Sequence, residues 1–111
     1  MTINELSFLV LTSLAGEPRH GYAVLNDVTS LTDGAVRPQV ATLYRTIDRL
    51  QGDGLIVEHA TEVVDGRFRR SYRLTDAGSE ALHQEAQRRA ATAKVAATRL
   101  RQSPGWAGGA T

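Results

Sequence analysis

The clearest structural signal in the chain is the stretch DGRFRRSYRL, which occupies residues 65–74. It opens with Asp65-Gly66, a dipeptide typical of tight two-residue hairpin turns. Residues 67–74 then alternate strictly between two faces, as a β-strand does. The faces carry Phe68, Arg70, Tyr72 and Leu74 on one side, and Arg67, Arg69, Ser71 and Arg73 on the other. Residues 55–64, before the turn, are rich in β-branched and apolar side chains, so we predict one β-hairpin.

Helical periodicity flanks the hairpin on both sides. Apolar residues at three- and four-residue steps predict helices over about 3–15 and 38–51, with another helical stretch beginning near Tyr22. Thr75 is placed to cap a long last helix, which meets no breaker between Gly78 and about Gln102. The predicted fold class is mainly α with a small β-hairpin, which must pack on the helices because a lone hairpin is marginal in water.

Three short helices followed by a hairpin are the plan of a winged helix-turn-helix. We predict such a domain over residues 1–75, a C-terminal dimerisation helix over 76–102 and a disordered tail over 103–111. In this plan the third helix enters the major groove of DNA, and the hairpin, called the wing, lies along the backbone or in the minor groove.

Composition excludes several classes of protein. The chain has 111 residues, 41% hydrophobic and 23% charged, which is typical of a globular protein. It has no cysteine, and its three histidines lack ligand spacing, so we expect no disulfide, metal or other cofactor. No nucleophile elbow or glycine-rich phosphate loop is present, which argues against an enzyme. Without a membrane-length apolar run or a signal peptide, the expected location is cytoplasmic.

The basic residues are clustered although the net charge is only +1. Arg67, Arg69, Arg70 and Arg73 fall within seven positions. Arginine presents a planar fork that suits phosphates and guanine edges. A mutational drift toward arginine codons would also favour arginine over lysine. The clustering of the arginines is therefore stronger evidence for DNA contact than the excess of arginine over lysine.

The candidate DNA contacts lie on the third helix, the wing and the start of the second helix. They are Thr42, Tyr44, Arg45, Arg49, Arg67, Arg69 and His20. Arg49 is equally open to pairing with Asp48 or Asp53, and His20 and Tyr22 to capping or packing. Arg70 shares its strand face with apolar residues and is expected to pair with an acid.

The last helix carries a heptad seam of small residues, which predicts a dimer interface. The seam residues are Ala86, Ala90, Ala93, Ala97 and Leu100. Alanines bury little apolar area, so Phe8 and Leu11, on a second apolar face of the first helix, are expected to contribute to the same interface. A two-fold dimer would present two copies of the third helix, so we expect the operator to be an inverted repeat.

Four strings in the chain resemble the successive signatures of PadR-family transcriptional regulators. They are HGYAVL at 20–25, ATLY at 41–44, LQGDGLI at 50–56 and RRSYRLT at 69–75. They occur in the family's order and spacing, and the resemblance covers roughly residues 3–100. Two positions depart from the family pattern: Arg45 replaces the usual proline, and Ser71 replaces the first of two wing tyrosines.

The resemblance implies a homodimeric regulator, commonly a repressor, that binds double-stranded DNA and is released by a small hydrophobic or phenolic effector near the dimer interface. Some short relatives use tryptophans of the fourth helix for that ligand. This chain has none there, since its one tryptophan is Trp106 in the tail. The alternative is a winged-helix protein-interaction module or an anti-repressor, and steeply salt-dependent binding to specific duplexes separates the two.

Overall fold

The computed structural model describes residues 3–103 as four α-helices and a small antiparallel sheet. The elements in chain order are α1 (Glu5–Leu14), β1 (Arg19–His20), α2 (Gly21–Leu31), α3 (Val40–Gly52), β2 (Ile56–Val64), β3 (Arg67–Leu74) and α4 (Asp76–Gln102). The predicted fold class, mainly α with a small hairpin and a long last helix, is confirmed. The tail predicted over 103–111, which includes Trp106, lies outside the described residues except for Ser103.

The sheet has three strands rather than the predicted two, in the order β1-β3-β2. The additional strand, β1, has two residues and pairs antiparallel with β3, Arg19 opposite Tyr72 and His20 opposite Ser71. A strand of two residues is too short to show alternation in the sequence. Because β1 leads directly into α2, this pairing ties the start of α2 to the base of the wing.

The core lies between α1, α2, α3 and the base of the sheet. It consists of Leu9, Val10, Leu11, Leu14, Val24, Val28, Leu43, Ile47, Leu50, Leu55, Ile56 and Tyr72. Leu11 is 0% exposed, so its assignment to the dimer interface is wrong. The physical reason is that α1 packs against α2, α3, α4 and β3 at once, which buries more than one of its faces. Phe8 stays half-buried.

The start of α4 is fastened to the loop that follows α3. Thr75 caps the helix as predicted: its Oγ1 accepts a hydrogen bond from the Gly78 N–H at 3.0 Å. The same hydroxyl donates to the Gly54 carbonyl at 2.6 Å. The Thr75 N–H donates to the Leu55 carbonyl at 3.1 Å. These bonds connect the long helix directly to the end of α3.

Gly78→Ala should destabilise the fold. A Cβ at Gly78 would overlap the carbonyl oxygen of Leu55, which is backbone and cannot turn aside. We expect a loss of about 1–3 kcal/mol in the free energy of unfolding, the usual range for overpacking. Urea denaturation measures this loss, and Ser79→Ala, at an exposed neighbouring position, is the control. Equal stability of Gly78→Ala and wild type would show that α4 is not held against this loop.

Most of α4 extends away from the winged part of the molecule. The molecule measures 60 × 28 × 22 Å, and its radius of gyration is 17.1 Å. A compact domain of this length would have a radius of gyration of about 13 Å. From Ala86 onward every described residue is exposed except the half-buried Arg89 and Thr98. Within residues 3–103, no helix has the length and apolar character needed to cross a membrane.

Candidate nucleic-acid interface

The polar face of α3 is held outward by burial of its opposite face. Leu43, Ile47 and Leu50, at four- and three-residue steps, are buried in the core. Arg45 is exposed on the other face, and its Nη2 donates to the Thr42 Oγ1 at 3.3 Å. A hydroxyl and a guanidinium therefore stand side by side on the surface of a firmly packed helix.

The wing ends in a turn that presents two arginines to solvent. Asp65 and Gly66 have φ angles of 51° and 75°, the left-handed region that such a two-residue turn requires at both positions. Arg67 and Arg69 are exposed, and neither has a carboxylate within ion-pair distance among residues 3–103. The Arg70 Nε instead lies 3.5 Å from a carboxylate oxygen of Glu58, which confirms the prediction that Arg70 pairs with an acid.

A groove of about 610 Å³ lies between the start of α2, α3 and the wing. Its lining residues are His20, Gly21, Tyr22, Tyr44, Asp48, Arg67, Phe68, Arg69, Arg70 and Tyr72. The chain has only three tyrosines, and all three line this groove. Four of the predicted DNA contacts meet here, since His20, Tyr44, Arg67 and Arg69 all line it. The groove thus combines aromatic surface, hydroxyl groups and unpaired cations.

Tyr44 and Tyr72 form adjoining parts of the groove wall. The Tyr44 ring lies so close to Gly21 that a Cβ at that position would overlap it unless the ring moved. Tyr72 is buried at the base of the wing. Burial, with the neighbouring Tyr44 second, raises the pKa of the Tyr72 phenol above its ordinary value. Tyr72 therefore remains neutral at physiological pH and forms the base of the groove.

His20 is half-buried where β1 meets α2. Its Nε2 lies 3.9 Å from a carboxylate oxygen of Glu62 on the wing. Its Nδ1 has no hydrogen-bond partner within the described part of the chain. The side chain makes no capping hydrogen bond to α2, although His20 occupies the N-cap position. The imidazole is thus placed between the helix start and the wing with one nitrogen free.

Three predicted contacts lie outside the groove. Thr42, which is half-buried, and Arg45, which is exposed, stand on the neighbouring face of α3, where a base edge could reach them. Arg49 is directed toward α1 instead, because its Nη2 donates to the Ser7 Oγ. Neither of the acids considered for Arg49, Asp48 and Asp53, forms an ion pair with it among the described residues. Arg49 therefore fastens α3 to α1.

Two aromatic residues of the groove were not among the predicted contacts. The sequence leaves packing or capping as a role for Tyr22, but its side chain is 65% exposed. Phe68 was placed on the strand face that includes the buried Tyr72, yet it is also exposed. Since the wing extends beyond the helices, residues near its turn have nothing to pack against. The proximity of Phe68 to Asp65-Gly66 was the signal in the sequence that could have indicated this exposure.

The junction of α1 and α4 holds a charge cluster around one buried carboxylate. The buried carboxylate of Glu85 accepts hydrogen bonds from Arg88 and, at 2.8 Å, from the Arg89 Nε. Burial favours a higher pKa for Glu85, but the hydrogen bonds from Arg89 and Arg88 outweigh it and hold that pKa below its ordinary value. The Arg89 guanidinium also lies 4.4 Å from the centroid of the Phe8 ring, and its Nη2 donates to the Ile3 carbonyl at 3.4 Å.

Comparison with known proteins identifies a family for the chain. The family model described as "Transcriptional regulator PadR-like family" matches residues 10–84. Transcriptional regulator Rv3488 of Mycobacterium tuberculosis is 43% identical over 67 residues, which are 60% of this chain and 49% of Rv3488. The match thus spans about half the length of that relative.

Solved structures agree in fold. A PadR-family transcriptional regulator from Eggerthella lenta has a TM-score of 0.64 and 32% identity, over 82% of this chain and 78% of that one. A PadR-family regulator from Clostridium difficile has a TM-score of 0.74 and 21% identity, over 87% and 99%. Bacillus subtilis PadR in complex with operator DNA has a TM-score of 0.68 and 20% identity, over 77% and 48%. The prediction of a regulator rather than an enzyme is confirmed, and the chain belongs to the PadR-like family of transcriptional regulators.

Proposed function

We propose that this regulator is a homodimeric DNA-binding repressor whose α3 reads the major groove while its wing holds the backbone. The observation that carries the proposal is the groove between α3 and the wing, which is lined by three tyrosines and by Arg67 and Arg69. Neither arginine has a carboxylate partner among residues 3–103. Tyrosine hydroxyls and guanidinium groups are donors that phosphate oxygens accept. A related fold, Bacillus subtilis PadR, has been solved with operator DNA.

In this arrangement one DNA strand would run along the groove. The exposed face of α3 would then lie against the base edges of the major groove, with Thr42 and Arg45 as the reading residues. His20 and Tyr44 would contact phosphates from one wall, and Arg67 and Arg69 from the other. Arg49 is left out of this set because its guanidinium is bonded to Ser7.

Replacing both Arg67 and Arg69 by alanine should weaken binding to specific and random duplexes alike. Their charges are unpaired in the described structure, so on DNA each would release counterions from a phosphate. The plot of log affinity against log salt should therefore flatten by about one to two units. Fluorescence anisotropy over a range of salt concentrations measures this slope.

A matched control removes the same charge from the far end of the molecule. Lys94 and Arg99 are exposed on α4, and changing both to alanine should leave the salt slope as in wild type. A wing variant that loses only specific binding, with its salt slope intact, would contradict the phosphate role and make the wing a sequence reader.

The dimer would form along the exposed apolar arc of α4. Ala86, Ala90, Ala93, Ala97 and Leu100 lie there and are all exposed in the single chain, Leu100 by 45%. A protruding helix with a continuous apolar face normally packs against another element. A second copy of the chain supplies one, with Phe8 of α1 at the edge of the contact. The two α3 helices would then meet two half-sites of an inverted repeat about one helical turn apart.

Release of the regulator from DNA by an effector requires a ligand site that can act on α4. A cavity of about 410 Å³ lies between the residues that precede α1, the loop after α3 and α4. Its lining residues are Ile3, Leu55, Ala81, Gln84, Glu85 and Arg88. A small hydrophobic or phenolic molecule bound there would touch the Leu55 segment, to which Thr75 of α4 is hydrogen-bonded. By favouring one position of α4 over another, such a ligand would change the spacing of the two reading helices.

Selection of bound fragments from genomic DNA of the source organism tests the function. We expect the protein to enrich a small set of fragments with an inverted repeat and to release them as salt rises. Failure to bind any duplex at low salt would overturn the proposal and favour the alternative, an interaction module that binds an acidic protein.

A further inference from the structure

The end of the wing carries an exposed apolar pair. Phe68 is 81% exposed and Val63 is 66% exposed, more than any other large hydrophobic residue in the described part of the chain. The two are direct cross-strand partners, one step behind the pair Val64–Arg67 that closes the turn. Opposed residues of an antiparallel pair project on the same side, so the two side chains form one apolar projection.

Cations lie next to this projection. Arg67 and Arg69 are the neighbours of Phe68 along β3; they project from the opposite face of the strand and have no carboxylate partner among residues 3–103. A complementary surface must therefore offer an apolar slot with negative charge along its rims. The minor groove of duplex DNA has this form, with sugars and base edges inside and phosphates on both rims.

We propose that Phe68, supported by Val63, enters the minor groove as a wedge at one base step, with Arg67 and Arg69 on the phosphates beside it. The proposal rests on the function proposed above and adds a specificity-determining residue to the wing. Apolar wedges of this kind partly unstack a step and kink the duplex. The guanine N2 amino group projects into the minor groove and would obstruct the ring, so the step should lack guanine.

The experiment uses the full chain and a duplex selected from a random-sequence pool. At the step where the wing is footprinted, one version carries G·C pairs and another carries inosine·cytosine pairs. Inosine lacks the N2 amino group but leaves the major groove unchanged, so reading by α3 is unaffected. Wild type should bind the inosine version about five- to tenfold more tightly, and dyes at the duplex ends should report a bend of about 20° or more.

Phe68→Ala should lose both the inosine preference and most of the bend while keeping the salt slope, because both arginines remain. Phe68→Leu, which keeps an apolar wedge, should retain a preference of at least about twofold. Val95→Ala, an exposed apolar change on α4, is the control and should behave as wild type. If Phe68→Ala keeps the preference and the bend, the pair merely stabilises the hairpin and the proposal fails. If wild type selects no duplex, the proposed function itself has failed.

Discussion

Ala93→Glu should prevent the proposed dimer from forming. Ala93 is exposed in the single chain and lies on the small-residue arc of α4. In the proposed two-fold dimer the substitution would lie in the interface twice, and each buried carboxylate without a partner costs at least about 1–3 kcal/mol. The dimer dissociation constant should therefore rise about a hundredfold or more. Sedimentation velocity measures this change.

The same substitution two residues earlier is the control. Ala91 is also an exposed alanine of α4, but it lies about 200° around the helix from Ala93. Ala91→Glu should remain dimeric, since its carboxylate stays in water. Circular dichroism should show equal helix content for both variants. Equal dimerisation of the two would place the interface elsewhere on the molecule.

Arg45→Ala should weaken sequence discrimination. Arg45 is exposed on α3, and a guanidinium bonded to a base edge contributes about 1–3 kcal/mol per half-site to discrimination. We expect the selected duplex to lose this amount and random duplex to lose much less. Competition titration with the two duplexes measures the difference. Similar losses on both would make Arg45 a phosphate contact.

Arg101→Ala is a closely matched control. In both places the arginine Nη2 donates to the Oγ1 of a threonine three residues earlier at 3.3 Å, Arg45 to Thr42 and Arg101 to Thr98. The two variants therefore lose the same local contact and the same charge. Only the position differs, since Arg101 lies in the last turn of α4. Arg101→Ala should leave the discrimination unchanged.

Local patterns were sufficient to predict the helices and the hairpin. The alternation of residues 67–74 and the turn at Asp65-Gly66 predict β3 and its partner strand because side-chain period depends on backbone geometry alone. The Thr75 cap follows from its hydroxyl and the helix after it. β1 could not be predicted, since two residues have no period and its pairing with β3 depends on a contact about fifty residues away along the chain.

The candidate site was only partly predictable, because it also depends on contacts between residues that are far apart in the chain. A periodic pattern shows that α1 has two apolar faces, but it cannot distinguish a face covered by the same chain, where Leu11 lies, from one left for a partner. Arg49 is exposed on α3, yet its partner Ser7 is on α1. The clustering of the wing arginines was visible in the sequence. The convergence of three tyrosines on one groove needed the tertiary structure.

Sedimentation of the full chain with duplexes carrying one or two selected half-sites tests whether the protein binds DNA as a two-fold dimer. We expect a dimer without DNA, two chains on the inverted repeat, and much weaker binding when one half-site is scrambled, because two-site binding is lost. A chain that is monomeric at micromolar concentration and still binds a single half-site as tightly as the inverted repeat would refute the proposed dimeric binding.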